Sequence, residues 1–507
     1  MLLGNLQGLI EFVSVYIRHE QALGGYYWSS SRVIPFTINE FPYFSFIHGD
    51  LHSHMLAIPF QLLVLAFLLN MHFRKNEDSI FENSLALLMF SMSLGFLFPF
   101  NSWDFPVYFG LAFLVIFAFY CGDYVHNRNL FAAVAKFSNS MIFISIFSFL
   151  PYLLFYLDFN PQAAGGFDFV LPELRTETDR FLILFGLFLF LVFSFLITRL
   201  DSRRKIVFFV LLAGVSALLS KAWSIPLLAV LLPVFVFSLL LFLKDIPERS
   251  ASGFVYLLIS AASFIALLCE VIFLDDPISG EFARMNTVFK FYMHLWIFLA
   301  ISAAYSYYDL NSHYAARSGN RKTLKQFVKK GWSVILVILI ICCAIFPAVS
   351  TVTRIKEMNA EPSLDGMEYM RELDRGDYNA IRWMQANIKG SPVILETSED
   401  DSSYSYACRV SSNTGIPAVI GWARHERFWG RDHEEVKKRI GDVSLIYSTG
   451  SEEEAIELIE KYNVTYVYIG TLERQVYDVN TKKFENKAYF EPVYEGSATI
   501  YKLKKKP

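Results

Sequence analysis

The residues with the densest chemistry lie between Asn39 and His54, in the run Asn-Glu-Phe-Pro-Tyr-Phe-Ser-Phe-Ile-His-Gly-Asp-Leu-His-Ser-His. His48, Asp50, His52 and His54 recur at every second position. On an extended strand all four would share one face. On a helix they would fall into two i,i+4 pairs, His48 with His52 and Asp50 with His54. The run directly precedes the first long apolar segment, so it stands at a membrane–water boundary, where a polar group without a partner is costly. Three roles are open for it. Asp50, or alternatively Glu40, could serve as a general base. His48, Asp50, His52 and His54 could hold a divalent metal such as zinc, provided the segment is extended, because one helix cannot bring all four to a single ion. The third role is structural, with Asp50 capping the next helix and the histidines at headgroup level.

The elements that must position these residues are membrane helices. Of the 507 residues, 54% are hydrophobic and 18% charged, against about 25% charged in soluble chains. Ten apolar runs can span the hydrocarbon, near 55–73, 82–100, 104–121, 134–157, 180–199, 205–219, 223–243, 253–273, 288–308 and 331–350. The sixth is short, and reads as re-entrant or as one arm of a hairpin with the seventh. Met1–Ile17 carries Asn5, Gln7 and Glu11 and no basic leader, so it reads neither as a signal peptide nor as a spanning helix. The net charge of −3 gives no reason to expect nucleic acid. Five scattered cysteines without a CxxC pair suggest neither a disulfide framework nor a thiolate metal site.

Basic residues alternate between the loops. One set holds Arg74, Lys75, Arg128, Arg199, Arg203, Arg204, Lys205, Lys244, Arg249, Arg317, Arg321, Lys322, Lys325, Lys329 and Lys330; the other holds Arg175, Arg180, Lys221, Arg284 and Lys290. The richer set is cytoplasmic by the positive-inside rule. For an even number of spans, residues 1–54 and the C-terminal tail are then extracytoplasmic. So are Asn101, Trp103 and Asp104 in one short turn, Glu270 and the Asp275–Asp276 pair, and Arg284, Asn286 and Lys290 at the start of the ninth span, with His294 one turn further in. Arg284 and Lys290 run against the charge rule. Each must reach the headgroups or meet an anion: Glu270, the aspartates, or a phosphate brought by a ligand, which this reading favours.

From residue 351 charged residues become frequent and apolar runs shorten. Helices are expected over Asp377–Ile388, Glu434–Ile440 and Glu452–Tyr462, and strands over Pro392–Glu396 and Val464–Ile469. That alternation makes 351–507 a soluble α/β domain, after an interfacial segment (1–54) and a helical membrane domain (55–350). Its loop Gly421–Arg431 gathers Trp422, His425, Glu426 and Trp429. These would suit a sugar ring, or would dock the domain on the membrane part.

Four motifs, FPYFSFIHGDLHSHMLAIPF (41–60), FPFNSWDFPVY (98–108), RMNTVFKFY (284–292) and TGIPAVIGWARHERFWG (414–430), resemble the signatures of the Chlor-Arch-YYY family of uncharacterised polytopic membrane proteins. That family usually carries further hydrophobic segments ahead of this point, which implies a truncated or split member. It is distantly similar to the superclass C membrane glycosyltransferases, whose acidic motif usually lies in the first outer loop. The resemblance implies a glycosyltransferase that takes a polyprenyl-phosphate-linked sugar at the outer face and passes it to a glycan or protein acceptor. On that reading Asp50 or Glu40 is the base. Arg284, Lys290 and Asn286 hold the donor with Asp104 and Glu270, and the tail helps bind the acceptor. Alternatives are a metal-dependent membrane hydrolase at the histidine cluster, and a transporter or flippase without chemistry.

Overall fold

The computed structural model describes residues 2–19, 25–49, 51–73, 84–159, 166–276, 278–316, 322–357, 363–400 and 403–504. The chain divides into two compact units, Met1–Glu357 and Met358–Pro507. The division falls a few residues after the change in composition, because the tenth long helix runs on to Glu357.

The ten apolar runs form the long helices Ile58–Phe73, Ser84–Phe100, Asp104–Asn127, Leu130–Phe149, Thr178–Ile197, Arg203–Trp223, Leu228–Asp245, Ala251–Leu268, Met285–Ala316 and Lys322–Glu357. Among the described residues, nine helical stretches are long and apolar enough to cross a membrane, and the second helix, at 17 residues, is shorter. Helices satisfy their own backbone, which hydrocarbon cannot do. The first unit is therefore a polytopic helical membrane domain. Its eighth and ninth helices lie at the centre, with 72% of their most apolar stretch buried, whereas the sixth, with 6%, forms the rim. The sixth is a full 21-residue helix. Ser202 starts it by accepting the Lys205 N–H, and Ser224 ends it in the left-handed region, φ 54°, so that the chain turns back into the seventh.

The N-terminal segment packs against the tenth helix as a short helix, Gln7–Phe12, followed by a π-helical turn, Val13–Ile17, with no buried residue. Pro347, within the tenth helix, has no N–H to offer the carbonyl of Cys343, four residues earlier. The Gly4 N–H makes that bond instead, at 2.9 Å. Approach this close needs a small residue: a Cβ on Gly8 would stand 2.5 Å from the Phe346 Cβ. Between helices, strands β1 (Gly166–Phe169) and β2 (Ile272–Asp275) pair antiparallel, tying the loop before the fifth helix to the loop before the ninth.

The second unit is a small α/β fold. Its four-stranded sheet has the order β3-β4-β6-β5, with β3 (Val393–Leu395) parallel to β4 (Val464–Ile469). Strands β5 (Phe490–Glu495) and β6 (Thr499–Leu503) close the sheet as an antiparallel pair. Arg375–Asn387, His433–Ser448 and Glu452–Lys461 are its main helices. Buried Arg409 ties the helix Arg375–Asn387 to the turn of helix after β4: its Nη2 donates to Glu473 Oε2 at 2.8 Å and its Nε to Asp377. Burial alone would raise the Glu473 carboxyl, but paired Arg409 and Thr397 hold it below the usual carboxylate range.

Candidate functional site

Glu40 is placed by the helix that follows it. Pro42 opens Pro42–His48 at the position where a missing N–H costs nothing. Gly49, at φ 74°, ends it in the left-handed conformation that glycine adopts freely. Fully buried Phe41, stacked on Trp296 at 4.9 Å, anchors the entry. Glu40 Oε2 then accepts the Ser45 hydroxyl at 2.9 Å and lies 3.1 Å from His54 Nε2. The carboxyl side chain is 11% exposed. Burial pushes it up, but the bonds from His54 and Ser45 and the charge of Arg32 outweigh this and hold it below the usual carboxylate range. Both bonds go to Oε2; among the described residues Oε1 makes none.

Among the described residues, His48, His52 and His54 do not share one extended segment: His48 closes the helical piece Pro42–His48, and His54 lies in a second piece, Ser53–Leu56. His48 sits among Trp28 and Phe44, 5.1 and 5.8 Å between ring centroids. His52 and His54 lie 4.8 Å apart, with His54 against Phe289 at 4.5 Å. Among the described residues, no three His, Cys, Asp or Glu side chains come together to hold an ion. Asp50 lies outside the described residues.

A second carboxylate, Asp104, starts the third helix and is buried. Its Oδ2 accepts from Gln61 Nε2 and its Oδ1 from Asn101 Nδ2, each at 2.6 Å. His294 Nε2 stands 3.3 Å from Oδ1 without the alignment of a hydrogen bond. Lys290 Nζ stands 4.4 Å from the centre of the Phe289 ring, and His54 packs on the same ring at 4.5 Å; Asp104 lies beside His294, one helical turn along from Lys290.

Arg284 has an internal partner, and this corrects the preference for a lipid phosphate. Its Nη2 donates to Glu270 Oε1 at 2.9 Å and Thr176 Oγ1 at 2.7 Å, and its Nη1 to the Leu174 carbonyl at 2.8 Å. With Arg284 1% and Glu270 0% exposed, this guanidinium is enclosed by protein. The reason is the loop before the fifth helix, which brings Thr176 to Glu270 through two further bonds, from its N–H at 2.7 Å and its hydroxyl at 2.6 Å. Asn286 is likewise engaged, donating to Asp276 Oδ2 at 2.7 Å.

In the second unit, Trp422 and His425 come together, 5.5 Å between rings, and Tyr404 joins them at 4.4 Å from His425 and 5.6 Å from Trp422. Trp422 is fixed by donating Nε1–H to the carbonyls of Ala407 and Ser405. Glu426 faces Arg431 at 3.7 Å, and Trp429 is 68% exposed. Sequence reasoning missed Arg32, Ser45, Gln61, Thr176 and Tyr404. Gln61 alone carried a signal, as a carboxamide within an apolar run.

No curated protein matches the chain. Among solved structures it is similar to the archaeal oligosaccharyltransferase AglB from Archaeoglobus fulgidus, in complex with an inhibitory peptide and a dolichol-phosphate. The likeness is at 13% identity and a TM-score of 0.35, over 92% of this chain and 61% of that one. The chain thus spans less than two thirds of the length of that relative. The DUF2298 family, described as uncharacterised membrane proteins, matches residues 1–299, more than half of the chain, and the chain belongs to that family.

Proposed function

We propose that the chain is a membrane glycosyltransferase that takes a sugar from a polyprenyl-phosphate carrier at the outer face of the membrane. One observation carries the reading: Glu40 is fixed through Oε2 by Ser45 and His54, and leaves Oε1 for a substrate. A carboxylate so placed suits an acceptor hydroxyl. The hydroxyl proton passes to Glu40 Oε1, and the acceptor oxygen forms a bond to the anomeric carbon. The bond from that carbon to the phosphate oxygen breaks, and the carrier phosphate leaves with the electron pair. Lys290, which shares the Phe289 ring with His54, supports the negative charge that develops on the phosphate. The Tyr404–Trp422–His425 platform suits a sugar on the acceptor, because ring faces pack on apolar sugar faces.

The test is transfer of radiolabelled sugar from polyprenyl phosphate by purified protein in lipid nanodiscs. Glu40→Gln should lower turnover by about 10²- to 10⁴-fold, and Asp50→Asn, run beside it, decides between the two candidate bases. Label that stays on the lipid with every sugar offered to wild-type protein removes the reading.

A further inference from the structure

The segment between Ser30 and Asn39 builds a cleft that the reaction above leaves unused. Its backbone is pinned by Asn39, whose Oδ1 accepts the Ile34 N–H at 2.8 Å and whose own N–H bonds the Ser31 carbonyl at 2.8 Å. Phe36 is held at φ 59°, a region where side chains other than glycine are strained and which recurs at ligand clamps. Its ring is 41% exposed and stands edge-on to the equally open ring of Phe282 at 5.5 Å. With Arg32, Thr37 and Met285 these rings line a cleft of about 170 Å³.

Arg32 supplies the cleft with its charge. One of its nitrogens, Nη1, is tied back to the carbonyl and hydroxyl of Ser31, and the guanidinium lies over Trp28, 5.4 Å from the ring centre. Among the described residues, Nε and Nη2 have no hydrogen-bond partner. The charges of Arg32 and Glu40 act on each other. Met285 lines the cleft, and Lys290 follows five residues later in the same helix, about 7.5 Å along its axis. A forked cationic donor beside two open aromatic rings matches a ligand with an anionic head and an apolar tail. A water-soluble phosphate would use the fork and gain nothing from the rings.

We infer that this cleft binds an isoprenoid phosphate, with Arg32 on the phosphate oxygens and the first isoprene units between Phe36 and Phe282. The lipid class rests on the glycosyltransferase reading, whereas the pairing of anion and apolar chain rests on the cleft. The experiment is equilibrium binding of farnesyl phosphate to the full chain in detergent, with inorganic phosphate and farnesol as competitors. Arg32→Gln should weaken binding roughly 10- to 150-fold, the loss of a charge-assisted hydrogen bond. Phe282→Ala should weaken it about tenfold, from lost apolar burial. Glu40→Gln should bind as well as wild type or better, because one negative charge near the phosphate is gone. Should Arg32→Gln fail to fold, Arg32→Lys, which keeps the charge and loses the fork, and Phe282→Ala carry the test.

Unchanged affinity in the folded Arg32 variant overturns the inference. Inorganic phosphate competing as well as farnesyl phosphate overturns it too, and would assign the cleft to free phosphate. Arg32-dependent binding by a protein that turns over no lipid-linked sugar would leave the inference standing and remove the catalytic reading. Turnover with Arg32-independent binding would do the reverse.

Discussion

Replacing Arg284 with Gln isolates the energetics of an ion pair enclosed within the helical unit. In the wild type the Glu270 carboxylate receives Thr176 through its N–H and hydroxyl, and Arg284 through Nη2 at 2.9 Å and Nη1 at 3.4 Å. Glutamine is too short to replace the fork and carries no charge. It would strand an ionised group that is 0% exposed, and would also free the Leu174 carbonyl. Stranding one partner of a buried pair costs about 3–5 kcal/mol, a large share of a typical folding free energy of about 5–15 kcal/mol. The double variant Arg284→Leu with Glu270→Leu should recover most of that loss, since it leaves no uncompensated charge. Reversible unfolding in mixed micelles reads all three proteins. An Arg284→Gln protein within about 0.5 kcal/mol of wild type, the range of ordinary surface changes, would refute the internal pairing and return Arg284 to the list of ligand-binding residues.

Other perturbations test separate parts. Gly8→Ala should cost about 1–3 kcal/mol in the same assay, because its Cβ meets Phe346 at 2.5 Å and the N-terminal segment must shift; a silent change would count against that packing. In the second unit, burial lifts the Glu396 carboxyl from 4.5 to about 7. The folded state then holds this proton more tightly than the unfolded one. Its contribution is greatest below pH 4.5 and is lost as pH rises to about 7, about 3 kcal/mol in all. Denaturant midpoints between pH 5 and 8 should show the slope, and Glu396→Gln should flatten it. Orientation follows from labelling intact cells after the native cysteines are replaced. Gly450→Cys should react with an impermeant maleimide and Asn320→Cys should not; the opposite pattern would place the tail in the cytoplasm.

What could be read from the sequence follows from the range of each interaction. The ten long helices were legible because apolar length is a local property, and a helix satisfies its own backbone in hydrocarbon. Strand β4 was legible residue for residue, since Val464–Ile469 is a buried run of β-branched and aromatic side chains. The arrangement of side chains around Asn39–His54 was obscure in the sequence. The spacing of His48, His52 and His54 suggested shared ligands, yet Gly49 ends the first helical piece and leaves His48 among Trp28 and Phe44, while His52 and His54 lie against each other. Arg284 was legible as an exception to the charge rule, and its partner was not. Glu270 is 14 residues away and Thr176 is 108, joined to them by the loop that pairs as β1 with β2. A sequence shows that a buried cation needs an anion, whereas the choice among Glu270, two aspartates and a lipid phosphate is made by tertiary distance. The same logic favours Arg32 for the phosphate. Its guanidinium opens on a cleft and keeps two nitrogens without a hydrogen-bond partner among the described residues, whereas Arg284 spends its fork on Glu270, Thr176 and Leu174. For recognition of a ligand, an arginine with its donors still to place is worth more than one already neutralised.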